Sequence, residues 1–591
     1  MTPACCRRLT RVFGSGAGTS VGTLPSAIRD DNAHAGKEFG LRKRLPLIVL
    51  LCAGTAVSAQ QLPSAGGQLQ QIPPPPAPRT EIPEIRVERA GAAATPADAG
   101  PGFPVTALRI TGQTAFTEAE LLAVTGFQPG ATLNLGDLRA IAARITDFYS
   151  RQGYFVAQAY LPAQALEGGS VTIAVIEGRY GKVTLNNSSR LSDGVANKVI
   201  AGLDPGDIVA NAPLERRLLL LSDIPGVAVR STLVPGEAVG TSDLVVDVLP
   251  GRSVTGSVEA DNAGNRYTGY FRLGGSLNFN NTLGIGDTIG VRALVSDRGL
   301  TYVRGSYQAP LFGVTVGVAY ARLDYRLYRE FKSLDAHGSA DIASVYASYP
   351  LTRSYKANLN LLGGVDFKRF RDDIDSVGAT SRKRSTVGFA GLAGDWRGKG
   401  SASYASAVVS TGDLDIRTPA VRAIDALTAR SNGGFTKVAL AAGRVQTLSG
   451  PLSLSVAARG QLASKNLDIS EKMELGGAYG VRAYPEGEAY GDQGYVATAE
   501  LRFDLTALSQ RVPGDVQLFA FIDNGGVTFS RDRFFAGSNS TNLTGGGGGV
   551  SWSAPGDFLV RASYAHRIGD TRVVSQPDKT GQFWVQLTKL F

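Results

Sequence analysis

The chain has 591 residues, too long for one ordinary soluble domain, and it is rich in glycine (73) while holding only two methionines, three histidines and three cysteines. Its formal charge of +9 is mostly N-terminal: residues 1–59 carry eight Lys/Arg and three Asp/Glu, which leaves 52 against 48, a net +4, beyond them. That near balance argues against a nucleic-acid partner, and since Cys5, Cys6 and Cys52 all precede residue 60, the rest of the chain has no thiol for a disulfide or a cysteine metal site.

In chain order, residues 1–40 hold no readable pattern and fit a start codon placed too early. From Leu41 the sequence turns into a secretory signal. Arg42, Lys43 and Arg44 form a basic region, Leu45 to Ala56 an apolar run, and Val57-Ser58-Ala59 a small-residue cleavage site. The apolar run is shorter than the ~20 residues a membrane helix needs. Leu51 before Cys52 weakens a lipoprotein reading. Residues 60–102 are rich in Pro, Ala and Gln, with "QIPPPPAPRT" favouring an extended linker. Their first part, "QQLPSAGGQLQQI", is broken by Pro63, Gly66 and Gly67, so a helix there is expected to be short or absent.

Two α/β modules are predicted next, at 103–178 and 179–251. In the first, Val105 to Gly112 reads as a strand, Thr117 to Val124 and Leu135 to Arg151 as helices, and "YFVAQAYLP" and "SVTIAVIEG" as strands. The second repeats this β-α-α-β-β order with "YGKVTLNN", helices at Ser192 to Ala201 and Pro213 to Asp223, then "GVAVRSTLVPG" and "SDLVVDVLPG".

From Arg252 helical periodicity gives way to alternation. Phe271, Leu273, Leu277 and Phe279 share one parity and Arg272, Ser276 and Asn278 the other; Tyr495, Ala497, Ala499, Leu501 and Phe503 oppose Thr498, Glu500 and Arg502. A soluble sandwich also alternates, but the secretory signal, the strand lengths and a chain ending on "GQFWVQLTKLF" favour a transmembrane antiparallel β-barrel over residues 252–591. At ~20 residues per strand and connection, about sixteen strands are expected. Lys589 falls on the apolar parity of the last strand, where it would snorkel to the interface. "GGGGG", Gly545 to Gly549, reads as a flexible turn or a strand start with close backbone contact; no Lys-Ser/Thr follows to make a phosphate loop.

Two motifs stand out in this region: "GVRAY", with Val481, Arg482 and Tyr484, and "FIDNG", with Phe521, Asp523 and Gly525. Parity around the second, Val516, Leu518, Ala520 and Ile522 against Gln517, Phe519, Phe521 and Asp523, puts Asp523 toward the lumen, since a carboxylate facing lipid would cost several kcal/mol near the midplane. Paired modules, barrel and both motifs together resemble the outer-membrane transporters of two-partner secretion, whose periplasmic modules are POTRA domains. The resemblance implies that a long loop folds into the lumen and that Arg482 meets Asp523 on the wall; some members of that family also plug the lumen with an N-terminal helix, which within residues 60–72 would be short or absent. Ala483 stands where that family usually has glycine. Terminal Phe591 resembles the signal read by the barrel-assembly machinery.

The bland alternatives are a solvated loop arginine, an ordinary pore-lining aspartate, and loop tyrosines (Tyr479, Tyr484, Tyr490, Tyr495) that only pack. Catalysis finds no support: His337 and His566 sit in no nucleophile or metal motif, and no catalytic, metal or cofactor-binding residue is predicted. What the resemblance implies is an outer-membrane protein transporter with its POTRA domains in the periplasm. Its partners would be a secreted haemolysin- or adhesin-like exoprotein client, outer-membrane lipid, and, during biogenesis, periplasmic chaperones and the assembly machinery. An assembly factor of the same superfamily is the alternative, and a passive porin a weaker one.

Overall fold

The computed structural model describes residues 62–74, 84–87, 100–165 and 168–591; the secretory signal expected at 41–59 lies outside them. Module 1 runs through β2 (Phe103–Val105), β3 (Ala107–Thr111), α2 (Glu118–Thr125), β4 (Ala131–Leu133), α3 (Leu135–Arg151), β5 (Gln158–Tyr160) and β6 (Ser170–Ile176), after a helix α1 (Ala65–Gln70) and a strand β1 (Glu84–Val87) in the preceding segment. Capping boxes start both helices, Thr117 with Glu120 and Asn134 with Asp137, and fix their first turns. The sheet runs β3-β6-β5, and Leu138, Ile141, Ile145 and Tyr149 of α3 pack on Ile110, Val171 and Ile173. The single strand expected at Val105 to Gly112 is divided at Thr106, whose N–H turns to the Gly169 carbonyl (2.8 Å).

Module 2 repeats the plan with β7 (Arg179–Asn187), α4 (Asp193–Ile200), α5 (Asn211–Ser222), β8 (Val227–Pro235) and β9 (Thr241–Pro250). Helix α5 begins two residues before Pro213 because proline is tolerated in a first turn, where its missing N–H has no partner to lose. Leu214, Leu218 and Leu221 bury against Val229, Leu244, Val246 and Val248.

The remaining chain closes into a barrel of sixteen antiparallel strands, from Val254–Asp261 to Gly581–Leu590, whose first and last strands pair Ser257 with Leu590 and Asp261 with Gln586. Among the described residues no helix is long and apolar enough to span a membrane. The parity of the sequence holds: Phe271, Leu273, Leu501, Leu518, Ile522 and Phe583 are exposed on the outer face while Arg272, Glu500, Phe521 and Asp523 are buried inside. Val516 departs from this, being buried where the helical turn at 505–512 folds over it; Leu505 N–H donates to its carbonyl. Lys589 pairs with Asp557 of a short turn, and Phe591 is half exposed, its backbone hydrogen-bonded to Gly256.

Module 2 sits at the short-turn end of the barrel. Arg353 grips Asp223 through both Nε (2.6 Å) and Nη2 (2.7 Å), Tyr355 N–H donates to Glu215, and Arg216 donates to the Pro350 and Leu351 carbonyls. A two-point guanidinium–carboxylate contact of this exposure contributes about 1 kcal/mol. Asp223→Ala is therefore expected to widen the distance distribution between module 2 and the barrel in pulsed electron spin resonance, with the barrel's own melting unchanged. An unaltered distribution in Asp223→Ala/Glu215→Ala would remove this contact as the anchor.

Candidate functional site

Residues 464–492 connect two long strands, Leu452–Ala463 and Gln493–Asp504, yet the segment does not extend into solvent. It folds into the lumen, where Leu475, Val481, Ala483 and Tyr484 are fully buried against Phe519, Phe521, Val527 and Leu543 of the wall. Its shape is set by its own backbone. Val481 N–H donates to the Leu475 carbonyl (2.7 Å), Tyr484 N–H to the Val481 carbonyl (3.0 Å) and Gly477 N–H to the Tyr484 carbonyl (3.0 Å), a compact turn that presents Arg482 to one side.

Arg482 and Asp523 meet there. The guanidinium donates to both Asp523 carboxylate oxygens, Nε and Nη2 each at 2.8 Å, and the Arg482 backbone N–H adds a third bond at 3.1 Å. Thr498 Oγ1 donates to the same carboxylate (2.9 Å). Nη1 reaches Glu500 (2.9 Å), which also accepts from Arg502 (2.8 Å) and Arg561 (2.7 Å). The guanidinium lies over the Phe521 ring, 3.3 Å from its centre, and Trp584 Nε1 donates to the Arg482 carbonyl (2.7 Å). A buried cation is tolerable only when its donors are paired in good geometry, and a planar fork over an aromatic face meets that condition in a way an ammonium does not.

The second motif supplies more than its aspartate. A Cβ at Gly525 would stand 2.9 Å from Leu475 and 3.1 Å from Val481, so glycine lets the loop lie flush on the wall. The run Gly545 to Gly549 is neither a turn nor a strand start: it lies within the strand Ser540–Ala554, with Gly545 opposite Asp523. Side chains at Gly547 and Gly549 would strike the rings of Phe521 and Phe519, and one at Gly545 would strike the Ala483 methyl. Ala483, standing where glycine is usual in the resembled family, does not take a positive φ, and its methyl occupies the space that Gly545 leaves.

Of the tyrosines, Tyr484 packs fully and donates to the Thr571 carbonyl (2.9 Å), and Tyr490 accepts from Gln71 (2.8 Å). Tyr479 is half exposed beside a lumen cavity of about 550 Å³ that Arg482, Arg444 and Arg502 also line. Tyr495 instead sits on the outer face and bonds Asn524 (2.8 Å).

Sequence reasoning placed Thr498, Glu500 and Arg502 on the lumen parity without a role, and it missed Arg561 and Trp584. Their convergence depends on strand register, Thr498 opposite Asp523 and Glu500 opposite Phe521, which sequence alone does not carry.

The lumen also holds α1. Its glycines, read as helix breakers, are its packing surface: a Cβ on Gly66 would meet Ser470 at 2.8 Å, and one on Gly67 would meet Ile469 at 3.3 Å. Ala65 N–H donates to Asp372 (2.8 Å), Gln70 to the Ile469 carbonyl (2.5 Å), and Thr268 to Gln68 (2.8 Å). Arg272 and Arg292 then hold the carbonyls of Gln71 and Pro73, each at 2.8 Å.

Two loop carboxyls lie together beneath this helix. Glu486 accepts from Ala478 N–H (2.9 Å) and Glu474 from Gly487 N–H, so each ties the opposite arm of the turn. Burial pushes both above the ordinary carboxylate range, Glu486 to about 7, with Glu486 adding to the shift of Glu474.

A family profile described as "Haemolysin secretion/activation protein ShlB/FhaC/HecB" matches residues 240–552, and one for the ShlB-type POTRA domain matches residues 103–178. The chain is 28% identical over 502 residues to the heme/hemopexin transporter protein HuxB of Haemophilus influenzae, covering 83% of this chain and 87% of that one. It is 26% identical over 472 residues to the outer membrane transporter CdiB of Escherichia coli O6:K15:H31, covering 76% and 77%. Among solved structures, CdiB from Escherichia coli superimposes with a TM-score of 0.65 at 22% identity, covering 85% of this chain and 93% of that one. BamA from Haemophilus ducreyi, lacking POTRA domains 1–3, superimposes with a TM-score of 0.51 at 15% identity, covering 83% and 100%.

Two outcomes are expected. Arg482→Ala strips a buried carboxylate of its main partner, a loss of about 3 kcal/mol, so amide protection over residues 473–492 falls on the order of a hundredfold in hydrogen exchange. Arg482→Lys, which keeps the charge and loses the fork, falls between. Protection equal to wild type in Arg482→Ala would contradict the pinning. The second outcome concerns pH. A carboxyl raised from 4.5 to about 7 in the docked loop binds its proton more tightly there than when undocked. Its contribution is complete below the ordinary value and is lost as pH rises through about 7. Loop protection, corrected for intrinsic exchange, is thus higher at pH 5 than at pH 8, and Glu486→Gln flattens the difference.

Proposed function

The chain belongs to the haemolysin secretion/activation family of outer-membrane transporters, and from that premise we propose how its parts divide the work of two-partner secretion. The POTRA modules receive an unfolded exoprotein in the periplasm by adding it as a strand to a sheet edge. The barrel carries it outward, and folding at the surface draws it through. The observation that carries this reading is a lumen occupied by two elements, α1 and the loop 464–492, with α1 resting on the loop and the loop on the wall. Helix α1 attaches by hydrogen bonds that water can replace and by small-residue contacts, whereas the loop adds the Arg482–Asp523 pair and buried apolar side chains. Arg482 and Asp523, with Val481, Tyr484, Phe521 and Gly525 around them, fix the loop against the wall so that the path forms in a defined place when α1 leaves.

No catalytic role is assigned to the chain. Phe591 serves as the mark recognised by the barrel-assembly machinery, periplasmic chaperones accompany the chain before insertion, and the outer apolar belt meets lipid. Because HuxB is described as a heme/hemopexin transporter, an exoprotein used in haem acquisition is the first client class to look for, ahead of a haemolysin or adhesin.

The test compares secreted and outer-membrane proteomes of cells with and without this gene, grown with haem as the iron source. Loss of one large exoprotein from the medium, restored by the wild-type gene and several-fold less by Arg482→Ala at equal barrel abundance, is the expected result. An unchanged medium with a general decline of other outer-membrane barrels would favour the assembly-factor reading instead.

A further inference from the structure

Strand β1 does not join the module that follows it in the chain. It comes from the Pro-rich segment ahead of module 1, yet it lies on the sheet of module 2, parallel to β8, with Glu84 opposite Arg230, Arg86 opposite Thr232 and Val87 opposite Leu233. Without it the sheet would end at β8. That strand is nine residues long and pairs along its whole length with β9 on its other side. A long strand edge is a template for further pairing, and proteins cover such edges. The cover here is small: four residues, in the parallel arrangement that is less stable per residue than the antiparallel one. Module 1 offers less to an incoming strand. Its edge strand β5 has three residues, and its other edge strand, β3, gives the Ile110 N–H to Glu118 (3.0 Å).

We propose that the edge of β8 is the receiving strand for an extended segment of the exported protein, laid parallel to it, and that β1 is its built-in competitor. The proposal rests on the export reading and adds the place and the regulation of capture. The edge accepts a parallel extended segment, since it holds one. The strand it holds is short, covalently tied to the lumen helix, and covers less of β8 than a longer segment that pairs along all of it.

Displacing β1 has a consequence inside the barrel. From Pro74, the last residue described after α1, to Glu84 is ten residues, a tether of at most about 35 Å. With β1 released, the next fixed point is Phe103, 29 residues from Pro74, and the tether reaches about 100 Å. The local concentration of a tethered group falls roughly as the −3/2 power of tether length, so α1 returns to the lumen about five times less readily once β1 is off. Docking of the client at β8 thereby favours the unplugged barrel without any contact between the client and α1.

Arg86→Cys/Thr232→Cys places two thiols at paired positions, and the native cysteines all lie within residues 1–59. Oxidised, the pair locks β1 in place. The probe is the exoprotein lost from the medium on deleting this gene. Its export is expected to fall at least fivefold through the locked transporter, to recover on reduction, and to be normal through either single variant. In planar bilayers, purified Arg86→Pro, whose β1 loses a backbone donor while β7, β8 and β9 are untouched, is expected to re-close about five times more slowly than wild type. Export at the wild-type level through protein shown to be cross-linked, or unchanged closing in Arg86→Pro, would overturn the proposal. Failure of the wild-type chain to export any protein would sink the export reading itself, which separates the two.

Discussion

A guanidinium taken out of water must find its counter-charges, and Arg482 finds them on the barrel wall. Three bonds to Asp523, one to Glu500 and a ring beneath it turn a flexible, glycine-rich segment into a fixed part of the lumen. Much else in the barrel follows from this. Asp523 and Glu500 are tolerated inside a membrane protein because the loop brings a cation to them, and Arg561 and Arg502 add two more cations at Glu500, which Arg482 shares with Asp523.

The wall is shaped for the loop as well as charged for it. Gly525, Gly545, Gly547 and Gly549 give up side chains so that Leu475, Val481, Ala483 and the two phenylalanine rings lie close to the backbone. Glycine in a strand interior weakens the strand. The cost is offset here by burial of Val481, Ala483 and Tyr484, none of which retains exposed surface. The same device recurs at α1, where Gly66 and Gly67 allow a six-residue helix to settle on Ile469 and Ser470, so the helix rests on the loop and the loop on the wall.

What could be read in the sequence was what short-range periodicity encodes. Period-2 alternation gave the inner and outer faces, chain length gave the sixteen strands, the secretory signal and the terminal strand favoured a barrel over a sandwich, and helical periodicity gave the two α/β modules. The pairing of Arg482 with Asp523 was reached through the family's motifs together with the parity of "FAFID". Arg561 and Trp584 were out of reach, because only register brings residues 79 and 102 positions away into the cluster around Arg482. Strand β1 was hidden for the opposite reason, and helix α1, six residues long, was expected only as short or absent. Local propensity in "PSAGGQLQQ" and around "EIRV" opposes or barely supports them, and contacts with residues far along the chain decide. Gly545 to Gly549 misled in the same way, as a run whose flexibility matters less than the room it leaves.

The account stands on one claim, that the charge pair holds the loop inside the barrel. Spin labels at Tyr479→Cys on the loop and Ser455→Cys on the wall report its position directly, since both residues line the same lumen cavity. In native outer membranes, one narrow short distance is predicted for the otherwise wild-type chain. A broad distribution reaching beyond the barrel rim is predicted for Arg482→Ala, with narrowness regained when the charges are exchanged as Arg482→Asp/Asp523→Arg. A narrow short distance that persists in Arg482→Ala would contradict the claim.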